Sequence, residues 1–451
     1  MHLLAFPMGA GSHIAGWRHP SAKHVRVDDP DYYRHIAETA ERGKFDALFL
    51  ADAQGFRMME GRDNFSRTDV LRLDALTILS AAAAWTTKLG LIGTVSTSYN
   101  EPYGAARRLA SLDILSRGRA GWNVVTSTGE NEAHNFGRDA HYEHDERYVR
   151  AAEFLEVCKG LWDSFDDDAV VCDQENGRYF DPDKVHGLAH KGAYFSVAGP
   201  LTTPRSPQGY PVIVQAGPSE AGQALAAATA EVVFTTSPDL ATAQRIYRSV
   251  RDAVAAAGRN PDHCKIIPSF HPIVADTEAE AKDILASIDE LVHPDLAISA
   301  LQLALGGADL SGCDPDAPLP PIAETNANRT IRARVIEIGE RENLTLLQLA
   351  RRVCVSKSSR PLAGDPEQVA DAMADWFLNE AADGFAISGQ ILPLVLDNFV
   401  DKVVPVLQAR GLFRTEYTGS TLRDHLGLPR PPSRHLGRLD LHVEPEIWQS
   451  A

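Results

Sequence analysis

Short apolar runs alternate with stretches of helical period along most of the chain. The runs fall at residues 2–6, 45–52, 89–97, 118–127, 210–217, 231–236, 265–275 and 383–388. Several are almost unbroken, as strands buried on both faces are, rather than alternating apolar with polar. Between them apolar positions recur every three or four residues. That spacing predicts helices over 30–43, 71–88, 102–116, 145–165, from 219, 240–257, from 278, 366–377 and 392–411. Two stretches interrupt the rhythm. Residues 166–209 are polar and irregular, with short hairpins expected. Residues 291–360 read as mixed helix and loop, and their CDPDAPLPP segment carries four prolines in nine residues.

Eight such strands alternating with helices predict an α/β chain of eight βα units closed into a parallel barrel. An open doubly wound sheet is the rival. In the closed form residues 1–411 make one domain. The two interruptions are then long insertions, one after the fourth strand and its helix and one after the seventh strand, a usual place for lids. Residues 412–451, rich in Arg and Pro, are expected as a C-terminal extension wrapping the barrel.

Composition narrows the function. The 451 residues carry 44 Lys and Arg against 61 Asp and Glu, a net charge of −17. So acidic a chain repels a phosphate backbone, which argues against nucleic-acid binding. The first twenty residues lack the basic and apolar regions of a secretory signal, and no window approaches a membrane span, so no membrane partner is expected. Five scattered cysteines form no CxxC and suit a reducing, cytoplasmic setting.

In a barrel the chemistry sits where strands end. Asp52 closes the second run. Thr94, Ser96, Thr97 and Ser98 close the third, and Asn123, Thr126 and Ser127 the fourth. Such neutral groups can bind an aromatic cofactor or simply cap strands. HYEHDERY (141–148) opens the fourth helix. His144 and Tyr148, at i,i+4, share a face there and suit hydrogen bonding to an oxyanion. His141 and His144 lack a third partner and an HExxH frame, so no metal is expected. QAGPSEAG (215–222) follows a strand and opens a helix. Ser219 is either a plain N-cap or part of an anion site. Gly217, Ser219 and Gly222 give GxSxxG, not the GxSxG of a hydrolase elbow. Neither GxGxxG nor GxxxxGK[ST] occurs, so a dinucleotide fold and P-loop chemistry are not indicated.

Several segments in order resemble the flavin-dependent monooxygenases of the bacterial-luciferase-like superfamily. They are AERGKFDALFLAD, STSYNEPYGAARRLASLDILSRGRAGWNVVTS, NFG (135–137), ERYVRAAEFLEVCKGLWDSF, GPLTTPRSPQGYPVIVQAGPSEAG, LVLDNFVDKVVPVLQARGLFR and TLRDHLGLPRP. The branch is that of nitrilotriacetate, EDTA and dibenzothiophene-sulfone monooxygenases and the pristinamycin synthase large subunit. The resemblance spans residues 1–431. It implies a TIM-type barrel with FMN at the strand C-termini, and reduced FMN (FMNH2) supplied by a separate NAD(P)H-dependent flavin reductase. Oxygen would be activated as a C4a-(hydro)peroxyflavin, one atom passing to a small organic substrate. Carried over residue by residue, Asp52, Thr97 or Ser98, Asn123, His144 and Tyr148 would lie by the flavin, and Ser219 would hold its phosphate. His144 is the expected catalytic group. The resemblance also implies dimers or tetramers. A hydride-transfer enzyme using coenzyme F420 or NADPH on the same barrel is the alternative, as is a flavin-binding barrel without catalysis. Phe6, His13, Trp17, Phe56 and Arg62 lie in or near loops that could reach the site, and they suit polar and aromatic substrates equally.

Overall fold

The computed structural model describes residues 1–56, 62–127, 129–217, 219–322, 329–355 and 361–435. Eight parallel strands close into a barrel, numbered here β1 (His2–Ala5), β2 (Ala47–Leu50), β3 (Gly90–Ser96), β4 (Ala120–Val125), β5 (Val212–Gln215), β6 (Val232–Thr235), β7 (Lys265–Phe270) and β8 (Gly384–Ile387). Each pairs with its sequence neighbours, and β1 closes on β8 with His2 opposite Gly384. Closure removes both sheet edges and disposes of the open doubly wound alternative.

The unbroken apolar runs follow from this burial. Leu3, Leu48, Leu91, Trp122 and Phe385 point outward into one core with the surrounding helices. Leu4, Ala47, Phe49, Ile92 and Ala386 point inward. The helices start where the chain supplies caps: Asp29 accepts from the Asp31 N–H ahead of Pro30–Arg42, and Asp74 from Thr77 ahead of Ala75–Trp85.

Two elements depart from their expected form. The run over 265–275 is two strands, not one. β7 ends at Phe270, and Pro272–Val274 leaves the barrel to pair with Leu362–Gly364. Pro272 has no N–H to give a barrel ladder, so the chain turns at His271. The helix expected over 392–411 is interrupted by a π turn at Phe399–Val403 between Leu394–Asn398 and Val404–Ala409. Pro405 lacks the N–H that Asp401 would receive, and the ladder shifts around it.

The first insertion forms two small hairpins, Val170–Asp173 with Arg178–Phe180 and His190–Lys191 with Ser196–Val197. The second carries the helices Pro294–Ala304, Arg329–Arg341 and Leu346–Val355, which share a separate apolar cluster built on Leu301, Val335 and Leu349.

Residues 412–435 pack against the N-terminal end of the barrel. Leu422, Leu426 and Leu428 join its interior. Gly90 and Gly121 make the room: a Cβ on Gly90 would lie 2.5 Å from Leu422, and one on Gly121 3.3 Å from it. Arg423 is buried and pairs with Glu231, Nη2 to Oε2 at 3.0 Å. Asp46 is also buried there. Burial opposes its ionisation, yet His2, Arg414 and the Leu3 N–H hold its carboxyl below the usual range. No helix among the described residues is long and apolar enough to cross a membrane.

Candidate active site

The C-terminal ends of β2, β3 and β4 form one polar wall of the barrel mouth. Strand alternation turns Thr94, Ser96 and Asn123 inward, on the side of Ile92. Thr94 donates its hydroxyl to the Leu50 carbonyl at 2.9 Å and accepts from Asn123 Nδ2 at 2.9 Å. That leaves Asn123 Oδ1 buried without a partner. Ser96 and Ser127 hydroxyls lie 2.8 Å apart, and Ser127 donates to Glu132 at 2.8 Å. A cleft lined by Asp52, Gln54, Thr94, Ser96, Ser127 and Glu132 opens here.

Asp52 stands two residues past the end of β2 and accepts from the Ala75 N–H at 3.2 Å. Burial, with Asp74 and Glu132 nearby, raises its pKa. Thr97 and Ser98 are both buried, and both hydroxyls are already committed: Thr97 donates to the Val125 carbonyl at 3.1 Å, Ser98 to that of Thr126 at 2.7 Å. Arg150 binds the Thr97 carbonyl and Arg147 that of Ser127, which ties the His144–Trp162 helix to the wall.

That helix start brings three expected residues together. The His144 and Tyr148 rings lie 5.3 Å apart on one face. Ser219 donates its hydroxyl to the Tyr148 oxygen at 3.1 Å. His144 is half exposed, with Nδ1 held by Asp145 at 2.8 Å. Ser219 also caps Glu220–Thr229 by accepting from the Gly222 N–H at 3.2 Å. Gly217 and Gly222 face each other closely. A Cβ on either would lie 3.0 Å from the other's Cα, and one on Gly222 would lie 3.1 Å from both the Ser219 and Tyr148 hydroxyls. The result is a concave cradle at a helix N-terminus, rimmed by two hydroxyls and partly positive. Asn123 lies on β4, the strand paired with β5, opposite Val214, and Asp52 lies farther round on β2. Pro218 and the Arg62 side chain fall outside the described residues.

Two parts of the mouth escape a sequence reading. Glu132 is buried and accepts from Ser127 and from the Gln54 N–H at 3.1 Å. It sits on a six-residue helix, Glu130–Asn135, too short for periodicity to show. Opposite, at the end of β7 and just beyond β7 and β8, Ser269, His271, Ser388 and Gln390 make a second polar wall. The signal for it was alternation: polar residues two apart continue the inward faces of Ile267 and Ala386. Burial holds the His271 imidazole below its usual pKa. No cluster of metal-ligating side chains occurs among the described residues.

Fold and mouth define a barrel enzyme with its polar groups gathered at the strand C-termini. Comparison with known proteins makes the class specific. Residues 10–382 match the luciferase-like monooxygenase family. The chain is 47% identical over 437 residues to N-acetyl-S-(2-succino)cysteine monooxygenase of Bacillus subtilis (strain 168), covering 96% of this chain and 98% of that one. It is 47% identical over 430 residues to nitrilotriacetate monooxygenase component A of Aminobacter aminovorans, covering 94% and 95%. Among solved structures, EDTA monooxygenase from Chelativorans sp. BNC1 superimposes with a TM-score of 0.78 at 37% identity, covering 96% of this chain and 99% of that one. The chain belongs to the luciferase-like monooxygenases. It is a flavin-dependent, oxygen-incorporating enzyme of the two-component kind, in which a separate reductase supplies reduced flavin. That decides against the hydride-transfer alternative and the silent barrel.

Proposed function

We propose that reduced FMN sits across the barrel mouth with its phosphate in the Ser219 cradle and its ring system against the β2–β4 wall. The observation that carries this is the Gly217–Gly222 approach beneath the paired hydroxyls of Tyr148 and Ser219. It makes a hollow that any side chain would fill, at a helix N-terminus suited to a phosphate. The buried, unpartnered Asn123 Oδ1 fits the same reading, since a flavin ring N–H would satisfy it. When bound, reduced FMN supplies the activation of O2 from which one oxygen atom passes to a small organic substrate.

This chain's own residues bind, orient and keep out water. Thr97 and Ser98, through their bonds to β4, hold the loop that the ring system lies against. Asp52, its pKa raised by burial, offers a carboxyl beside that loop. His144 stands on the same face as Tyr148 and holds or moves a proton at the mouth. Five free cysteines with no pairing support a cytoplasmic setting, where a flavin reductase is also at hand.

Anaerobic titration with reduced and with oxidised FMN tests the seat. Reduced FMN is expected to bind the tighter, and Ser219→Ala and Tyr148→Phe each to weaken it about tenfold, the scale of one hydrogen bond to a charged group. Unchanged affinity in both variants would remove the phosphate from this cradle. His144→Ala is expected to keep FMN affinity but to divert O2 into hydrogen peroxide, measured with a flavin reductase supplied. Unchanged coupling there would remove His144 from the chemistry.

A further inference from the structure

The helix that carries the phosphate cradle, Glu220–Thr229, packs beside the next one, Leu240–Ala256, on the outside of β5 and β6. Far from the mouth the two close on each other, where Ala230, Val254 and Cys264 share one apolar cluster. Arg259 fixes that end, donating to the Ala227 and Ala230 carbonyls at 2.9 and 2.7 Å. Toward the mouth the helices part, and a cavity of about 390 Å³ opens between them. Protein interiors are close-packed and hold few voids larger than a water molecule, whereas this volume is in the range of small-molecule sites.

The sequence shows how the gap arises. Ala226 and Ala227 face it from the first helix, and Ile246, Val250 and Ala253 from the second. Helical spacing puts each set on one face, and three of these five are alanine. Val233 makes the floor. It belongs to the cluster of Val254, while its neighbour Val232 points into the barrel. The cavity therefore lies behind the strands and outside the mouth.

Its walls are apolar but its rim is not. Thr235 and Thr236 stand there at the end of β6, with Arg245 and Ser249 on the second helix. Arg245 is exposed and donates to Thr242 Oγ1 at 2.9 Å. It makes no ion pair among the described residues, with Asp239 a charged neighbour. The side toward the cradle is Ala216 and Gly217, and Gly217 is also one wall of the cradle itself. Anything that enters the cavity from a flavin seated in that cradle leaves from the phosphate, the terminal group of FMN. FAD continues from that group through a second phosphate and a ribose to adenine. A flat apolar base matches walls of alanine, valine and isoleucine. A second phosphate matches Arg245 and the threonine hydroxyls, in a chain whose net charge of −17 otherwise repels it.

We propose that this cavity is a binding site for the adenosine of FAD, with Arg245 at the second phosphate, so that the protein takes up reduced FAD as well as reduced FMN. This rests on the phosphate seat proposed above.

Anaerobic titration with the two reduced flavins tests it. The parent is expected to bind them within about tenfold of each other. Ala253→Leu and Ser249→Leu fill the cavity from one helix face. Each is expected to weaken reduced FAD about tenfold or more and to leave reduced FMN unchanged. Arg245→Gln is expected to weaken reduced FAD about tenfold, the scale of one charged hydrogen bond, again sparing FMN. Thermal melts show whether the filled variants fold. If neither does, the parent's ratio and Arg245→Gln decide. Reduced FAD bound more than about a hundredfold below reduced FMN by the parent would overturn the site. So would losses shared equally by both flavins in folded variants, or FAD affinity that none of the variants changes. A parent that binds neither flavin, or a Ser219→Ala protein that binds reduced FMN as the parent does, would instead remove the phosphate seat, an outcome distinct from a parent that takes FMN and refuses FAD.

Discussion

Replacing Gly222 by Val is expected to weaken reduced-FMN binding by about ten- to a hundredfold while leaving the barrel folded. The added Cβ alone would stand 3.0 Å from the Gly217 Cα and 3.1 Å from the Ser219 and Tyr148 hydroxyls. Two of these neighbours are the groups assigned to the phosphate, and the third is backbone that cannot swing aside. Overpacking of this kind costs about 1–3 kcal/mol. At about 1.4 kcal/mol per tenfold, that gives the stated range if the cost falls on the bound state. The site is at the rim, where the first helical turn can move outward, so the melting temperature should change little. Gly222→Ala should fall between parent and Val, because the Ser219 hydroxyl can rotate. Anaerobic fluorescence titration reads the affinity, and a thermal melt reads the fold. A Gly222→Val protein that melts normally and binds reduced FMN as the parent does would place the phosphate elsewhere.

The largest effect on stability is expected at the opposite end of the barrel. Arg423→Ala should cost about 3–5 kcal/mol, the range for breaking a buried pair by removing one partner. Arg423 is buried and also donates to the Tyr210 and Pro429 carbonyls, each at 3.2 Å. Without it, among the described residues, the Glu231 carboxylate keeps one hydrogen bond, from the Ile213 N–H at 3.0 Å, with Lys159 as a charged neighbour. The cost is that of a stranded charge, so removing both charges should recover most of it. Arg423→Leu with Glu231→Leu is therefore expected to unfold at a higher urea concentration than Arg423→Ala. If the single variant matches the parent midpoint, the pair contributes nothing and the tail is held by its leucines alone.

What could be read from the chain divides along physical lines. The strands were legible because burial on both faces leaves an almost unbroken apolar run, and few other structures do. Their ends were legible for the same reason: Asn123 and Ser127 interrupt such a run. His271 was lost because it lies within one. A single apolar stretch, KIIPSFHPIVA, serves two sheets, and only the missing N–H of Pro272 marks the change. Glu132 was lost because a six-residue helix has no period. The tail misleads by composition. Arginine and proline suggest a solvated strand of chain, whereas Arg423 is buried by a carboxylate 192 residues away in sequence, which no local pattern announces. His144, Tyr148 and Ser219 came together because i,i+4 spacing and a strand-to-helix turn are local geometry.

Closing β1 onto β8 has a consequence for how the molecule is made. Of the barrel's strands, the first to be synthesised pairs on one side with the last, His2 with Gly384. Until that partner is synthesised, the growing sheet keeps a bare edge at each end. Parallel pairing over such separation is slow to form, and unpaired edges invite association with other chains. The leucines that seat beneath the barrel arrive later still. Assembly should therefore be largely post-translational, with solubility during synthesis depending on how long those edges stand open.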